Sequence, residues 1–147
     1  MKSIFSIKNK VFIVTGVSSG IGKYIAENLI SYGAKVYGIS RNKINNTKYN
    51  NIQCDLRDLQ KLKKEIRQIY KKNKKISVLI NNAGITKEGK NLDHNLLAFD
   101  EVMNINTKIP IFLSNECFKL MKKSDSGSII NICSLASRLG FPNNPSY

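Results

Sequence analysis

Eight residues near the N-terminus, Thr15-Gly16-Val17-Ser18-Ser19-Gly20-Ile21-Gly22, constrain this chain more than any other stretch. They follow a continuous apolar run, Val11–Val14, and precede an apolar stripe at positions 21, 25, 26, 29 and 30 that ends at Gly33. The run reads as a strand, because residues apolar at every position suit a strand covered on both faces, as in a parallel sheet. The stripe has helical spacing and a glycine stop, so a helix is predicted over Ile21–Ser31. A chain that passes from strand to helix through glycines brings free helical N–H groups, and their partial positive charge, to the tip of a turn. An anion can approach such a backbone closely, and the anion expected here is a pyrophosphate.

The same alternation runs along the rest of the chain. Strands are predicted at Lys35–Ile39, Asn51–Cys54, Ile76–Ile80 and Ser128–Cys133. Helices are predicted at Asp58–Lys72 and, as one long element, at about His94–Lys123. Strand–helix alternation implies right-handed crossovers and a doubly wound parallel sheet, so the fold class expected is α/β, Rossmann-like, in one domain over residues 1–147. One connection is too short for the usual crossover helix. Asn42–Asn50 is polar and lacks helical periodicity, and an extended loop or a single turn is expected there.

The glycine spacing, and four later segments in order, resemble the short-chain dehydrogenase/reductase family, whose fingerprint is TGxxxGIG. Cys54-Asp55-Leu56 is similar to the segment whose aspartate contacts the adenine ring in that family. Asn81-Asn82-Ala83-Gly84 is similar to its NNAG motif. Phe99 to Thr107 (FDEVMNINT) resembles the helix carrying its catalytic asparagine, and Ser128 to Tyr147 resembles the segment bearing its serine and tyrosine. The resemblance therefore implies Asn106, Ser134 and Tyr147 as catalytic residues. It implies Thr15, Gly16, Ser18, Ser19, Gly20, Ile21, Gly22, Asp55, Leu56, Asn82, Ala83 and Gly84 as cofactor-binding. Ser134 is preferred over Ser137 because it lies just past the strand, thirteen residues before Tyr147. Pro110 adds local physics, since a proline has no N–H for the carbonyl four residues back, that of Asn106. In the family that carbonyl holds a water of the proton relay.

The cofactor implied is a nicotinamide dinucleotide. An acid after the second strand would bind the adenosine ribose and favour NAD. Ser40-Arg41-Asn42 stands there instead, and Arg41 suits the 2′-phosphate of NADP, with Ser18 as a further hydroxyl donor. NADP is expected, with NAD as the alternative. The implied reaction is hydride exchange with a small carbonyl or alcohol substrate, Ser134 polarising its oxygen and Tyr147 exchanging the proton. The family places a lysine four residues after the tyrosine, and this sequence ends at Tyr147. Members run to roughly 250 residues, so a chain truncated after the fifth strand, inactive as given and homo-oligomeric when complete, is the expectation.

The formal net charge of +14 opens a competing reading as a nucleic-acid-associated protein. Its densest source, Lys61 to Lys75, carries Leu62, Ile66 and Ile69 or Tyr70 at helical spacing, the pattern of a helix with a solvated basic face. No aromatic stacking platform accompanies it, so specific nucleic-acid binding is not expected. A third reading is a non-catalytic dinucleotide-binding protein. Cys54, Cys117 and Cys133 are dispersed and read as apolar fillers, and His94 as a surface or capping residue; no metal site is expected. No apolar run reaches the ~18 residues of a membrane span, so a cytoplasmic protein is the expectation.

Overall fold

The structure is a computed structural model that describes residues 6–45, 47–87, 96–124 and 126–140. Among the described residues five strands, β1 (Val11–Thr15), β2 (Lys35–Ser40), β3 (Asn50–Gln53), β4 (Val78–Asn81) and β5 (Ser128–Asn131), form one parallel sheet in the order β3-β2-β1-β4-β5. Four α-helices accompany them among the described residues: α1 (Gly20–Ser31), α2 (Leu59–Asn73), α3 (Leu96–Met103) and α4 (Ile109–Met121). The chain leaves β1 for β2 on one side and returns to place β4 on the other, so the sheet has its topological switch between β1 and β4. Ligand crevices of open α/β sheets lie at that point, beyond the carboxyl ends of the strands.

The unbroken apolar run of β1 has a direct cause in this architecture. Val11 and Ile13 belong to the core beneath α2 and α4, with Ile39, Leu62, Ile66, Leu79 and Leu113. Phe12 and Val14 belong to the core beneath α1, with Val17, Ala26, Val36 and Ile80. Neither face of the strand meets water, and alternation has nothing to report. On α2, Leu62, Ile66 and Ile69 are buried while the lysines and arginine between them face outward. Asp58 closes the amino end of α2 by accepting from the Lys61 N–H at 2.9 Å.

The segment between β2 and β3 contains no helix among its described residues. Its apolar members do a helix's covering work: Tyr49 is buried, packs with Ile44 in the α1 core, and donates from its hydroxyl to the Val17 carbonyl at 3.1 Å. Gly38 permits this, because a Cβ there would stand 2.7 Å from both the Tyr49 ring and Val17.

The long helix expected as one element is interrupted. A π turn, Asn104–Lys108, joins α3 to α4, and the Ile109 N–H reaches back to the Asn104 carbonyl. Pro110 follows at the start of α4, in keeping with its missing N–H. A 3₁₀ turn, Lys122–Ser124, ends the helix, and a second one, Leu135–Ser137, follows β5. His94 lies outside the described residues.

β5 stands at the edge of the described sheet, and Ile129, Ile130 and Ile132 are exposed there. Cys54 and Cys117 are buried fillers as expected, whereas Cys133 is exposed, because nothing described packs over the end of this edge strand. Truncating a buried α2 residue, Ile66→Ala, is expected to lower stability by about 2–5 kcal/mol, whereas Lys64→Ala on the outward face should stay within about 0.5 kcal/mol. Urea unfolding of both variants checks this, and equal losses would contradict the orientation of α2.

Candidate functional site

The carboxyl ends of β1 and β4 are tied side to side. Thr15 is buried, and its Oγ1 accepts from the backbone N–H groups of both Asn82 and Ala83, each at 3.0 Å. In return Asn82 Nδ2 donates to the carbonyls of Thr15, at 2.9 Å, and Gly16, at 3.3 Å. This stitching presses the glycine turn against the end of β4 so closely that side chains have no room. A Cβ on Gly16 would lie 2.9 Å from the Ala83 Cα, and one on Gly22 would collide with Asn82 Nδ2 and the Gly16 carbonyl. Gly16 and Gly22 are therefore required by close approach.

Gly20 is required for a different reason. Its φ of +55° is a conformation L side chains rarely adopt, yet a Cβ there would meet nothing within 4 Å. The turn is shaped around open space at the amino end of α1. That end is also left without an internal anion. Ser19 makes no side-chain cap hydrogen bond, and the first turn contains no acidic residue. The contrast with α2, closed by Asp58, is chemical: an aspartate would occupy and repel what the first turn of α1 can receive. A diphosphate fits this cradle by charge and donor supply.

The cradle opens on a cleft of about 430 Å³ at the switch point. Gly16, Ser18, Ser19 and Ile21 line it from the turn, Ile39, Ser40 and Arg41 from β2 and the residue after it, and Asn82, Ala83 and Gly84 from the end of β4. Asp55, Leu56 and Arg57 from the loop after β3, with Glu101 of α3 and Ile105 of the π turn, also line it. Among the described residues Arg41 enters no ion pair, while Arg57 is engaged with Asp55, Nη2 to Oδ2 at 2.6 Å. The Ser40 hydroxyl is occupied internally, donating to the Asn42 carbonyl and accepting from Asn51. The hydrogen bonds from Arg57 hold the Asp55 carboxyl down at about 2, so it is ionised throughout the physiological range.

The sequence profile of short-chain dehydrogenases matches residues 10–147. The chain belongs to the short-chain dehydrogenase/reductase family. A 2-dehydro-3-deoxy-D-gluconate 5-dehydrogenase of Pseudoalteromonas atlantica is 32% identical over 97% of this chain and 61% of that protein. A 3-oxoacyl-[acyl-carrier-protein] reductase of Rickettsia conorii is 32% identical over 98% of this chain and 61% of that protein. A metagenomic short-chain oxidoreductase solved in complex with NADP superposes with a TM-score of 0.88 at 28% identity, over 97% of this chain and 69% of that one. The chain thus spans about three-fifths of the length of the curated relatives it matches.

Within this short-chain dehydrogenase fold, the residues singled out from sequence occupy three kinds of position. Gly16, Ser18, Ser19, Ile21, Arg41, Asp55, Leu56, Asn82, Ala83 and Gly84 line the cleft. Thr15 and Gly22 stand behind its wall, and Gly20 borders the open cradle. Ser134 lies past the end of β5 and opens the second 3₁₀ turn, accepting from the Ala136 N–H at 3.2 Å. Asn106 sits in the π turn, and its side chain clamps the loop after β4, accepting from the Ile85 N–H at 2.9 Å and donating to the Ile85 carbonyl at 2.8 Å. Tyr147 lies outside the described residues. Sequence reading missed Arg57, Ile85, Glu101 and Ile105; the one available signal was the charge of Arg57 two residues after Asp55.

Two outcomes follow from this geometry. Thr15→Val keeps the volume and removes the acceptor shared by two N–H groups, which is expected to cost roughly 1–3 kcal/mol in urea unfolding; an unchanged midpoint would contradict the stitching. Because the folded Asp55 pKa is depressed, its stabilisation is present above the ordinary aspartate value of about 3.9 and is lost as pH falls through about 2. Carboxyl carbon NMR titration should find Asp55 near the lower value, and find it back in the ordinary range in Arg57→Gln.

Proposed function

We propose that this chain supplies the cofactor-binding part of an NADP-dependent oxidoreductase that exchanges a hydride with a small carbonyl or alcohol substrate. The observation that carries the reading is the uncapped, acid-free amino end of α1, reached through a glycine turn with open space at Gly20 and facing the cleft. Ser18, Ser19, Gly20 and Ile21 would hold the diphosphate, Arg41 the adenosine 2′-phosphate, and Asp55 and Leu56 the adenine. Asn82, Ala83 and Gly84 would wall the cleft toward the nicotinamide half. The dinucleotide, when bound, supplies or accepts the hydride. NADP is preferred over NAD because Arg41 forms no ion pair among the described residues and no acid directly follows β2, and a relative of the same fold was solved with NADP.

The protein's own residues handle the substrate oxygen and its proton. Ser134 donates to that oxygen and polarises it, and Tyr147 exchanges the proton with it. A tyrosine of ordinary pKa, about 10, is ionised only about one part in a thousand at neutral pH. The family's lysine four residues further on is what lowers that value. The Asn106 backbone carbonyl, denied an α-helical partner by Pro110, holds a relay water. The Asn106 side chain, spent on Ile85, keeps the loop after β4 in place. The relatives named above act on a sugar acid and on an acyl-carrier thioester, and compounds of both classes are the substrates to screen. The exposed apolar residues Ile111 and Phe118 on α4 support a homo-oligomeric assembly.

Calorimetric titration tests the cofactor assignment. NADPH should bind at least about ten-fold more tightly than NADH, and Arg41→Ala should bring the two together by weakening NADPH alone. Equal affinities in the wild type would overturn the NADP preference, and no binding of either would overturn the function. The 147 residues alone are expected to show no turnover, and oxidation of NADPH with any carbonyl compound by that polypeptide would contradict this.

A further inference from the structure

We propose that Arg57 is a positioning residue for adenine recognition, holding the Asp55 carboxylate as a fixed acceptor for the exocyclic amino group of the base. The inference rests on the dinucleotide reading above and extends it to a residue that reading does not use. Asp55 and Arg57 lie two positions apart in the loop between β3 and α2, and both line the cleft. Asp55 Oδ1 accepts from the Arg57 backbone N–H at 2.9 Å and from Nε at 3.0 Å. Asp55 Oδ2 accepts from Nη2 at 2.6 Å and from Nε at 3.2 Å. With both oxygens engaged by one planar fork, the carboxylate plane is set by the guanidinium rather than by the free rotation of a short side chain.

An ionised carboxylate can only accept hydrogen bonds. Held in place, it welcomes the 6-amino group of adenine, a donor, and disfavours the 6-oxo group of hypoxanthine, an acceptor. Arg57 also has an acidic neighbour on α3. Its Nη1 lies 3.9 Å from Glu101 Oε1 on α3, and Glu101 Oε2 lies 3.2 Å from Lys87 Nζ. The competing role, direct contact of Arg57 with the 2′-phosphate, would fall to Nη1, which faces the Glu101 carboxylate, because Nε and Nη2 are bonded to Asp55. Arg41 lines the same cleft and forms no ion pair among the described residues.

The test compares NADPH with its hypoxanthine analogue by calorimetry, in the protein that carries this chain in full. Both ligands have the same phosphates, so any loss of positive charge cancels in the ratio of their dissociation constants, and only recognition of the base remains. The wild type is expected to prefer NADPH about ten-fold. Arg57→Gln should bring the ratio close to one, as should Asp55→Ala, which sets the floor. Arg57→Lys, which keeps charge but loses the fork, should fall between and carries the test if the glutamine variant does not fold. A wild-type ratio preserved in Arg57→Gln or Arg57→Lys would overturn the inference while leaving the dinucleotide reading intact. Equal wild-type affinities would overturn the role of Asp55 and with it that of Arg57. Binding of neither ligand by the wild type would instead defeat the dinucleotide reading itself.

Discussion

The site depends on one constraint, the contact of two backbones at the switch point of the sheet. Thr15 and Asn82 exchange hydrogen bonds between the ends of β1 and β4, and that contact is close enough to exclude every side chain at Gly16 and Gly22. The consequence is positional. The first turn of α1 is delivered to the centre of the sheet's carboxyl edge, where the ends of β2, β3 and β4 can all contribute to one cleft. Had β1 and β4 been separated by a side chain, the amino end of α1 would stand away from Asn82–Gly84 and the cleft would open into two shallow surfaces.

Electrostatics completes what packing begins. The two helix amino ends are treated oppositely, α2 closed by its own aspartate and α1 left with its donors unspent. The residues at the amino end of α1, Ser18 to Ile21, are exposed, so their N–H groups stay open to solvent and to an anion entering the cleft. The two arginines of the cleft divide in the same way. Arg57 is bonded to Asp55 and lies near Glu101, whereas Arg41 forms no ion pair among the described residues.

Much of this was legible in the sequence because it is recorded locally. The run Val11–Val14 and the glycine pattern name a strand, a turn and a helix in consecutive residues, and each of the five strands was found. What was illegible depends on residues distant in the chain or on hydrogen-bond length. Helical periodicity continues through Asn104–Lys108, since one extra residue per turn hardly disturbs an apolar stripe, so the π turn left only Pro110 as a hint. Tyr49 looked like part of a polar loop, and its burial is visible only once Gly38 and Val17 are beside it. The Asn106 side chain found its partner in the backbone of Ile85, twenty-one residues earlier, and a backbone partner leaves no mark on composition. Cys133 read as a filler from its dispersed spacing, and spacing carries no sign of its exposure just past β5, the edge strand of the described sheet.

The most direct measurement of the central claim is a titration of the isotopically labelled protein with NADPH, followed through backbone amide resonances. If the amino end of α1 receives the diphosphate, the largest shifts fall on the amides of Ser18 to Gly22 and are reproduced by ADP, whereas the amide of Lys61 at the self-capped α2 stays in place. Saturable binding with those glycine-turn amides unmoved would contradict the account at its root.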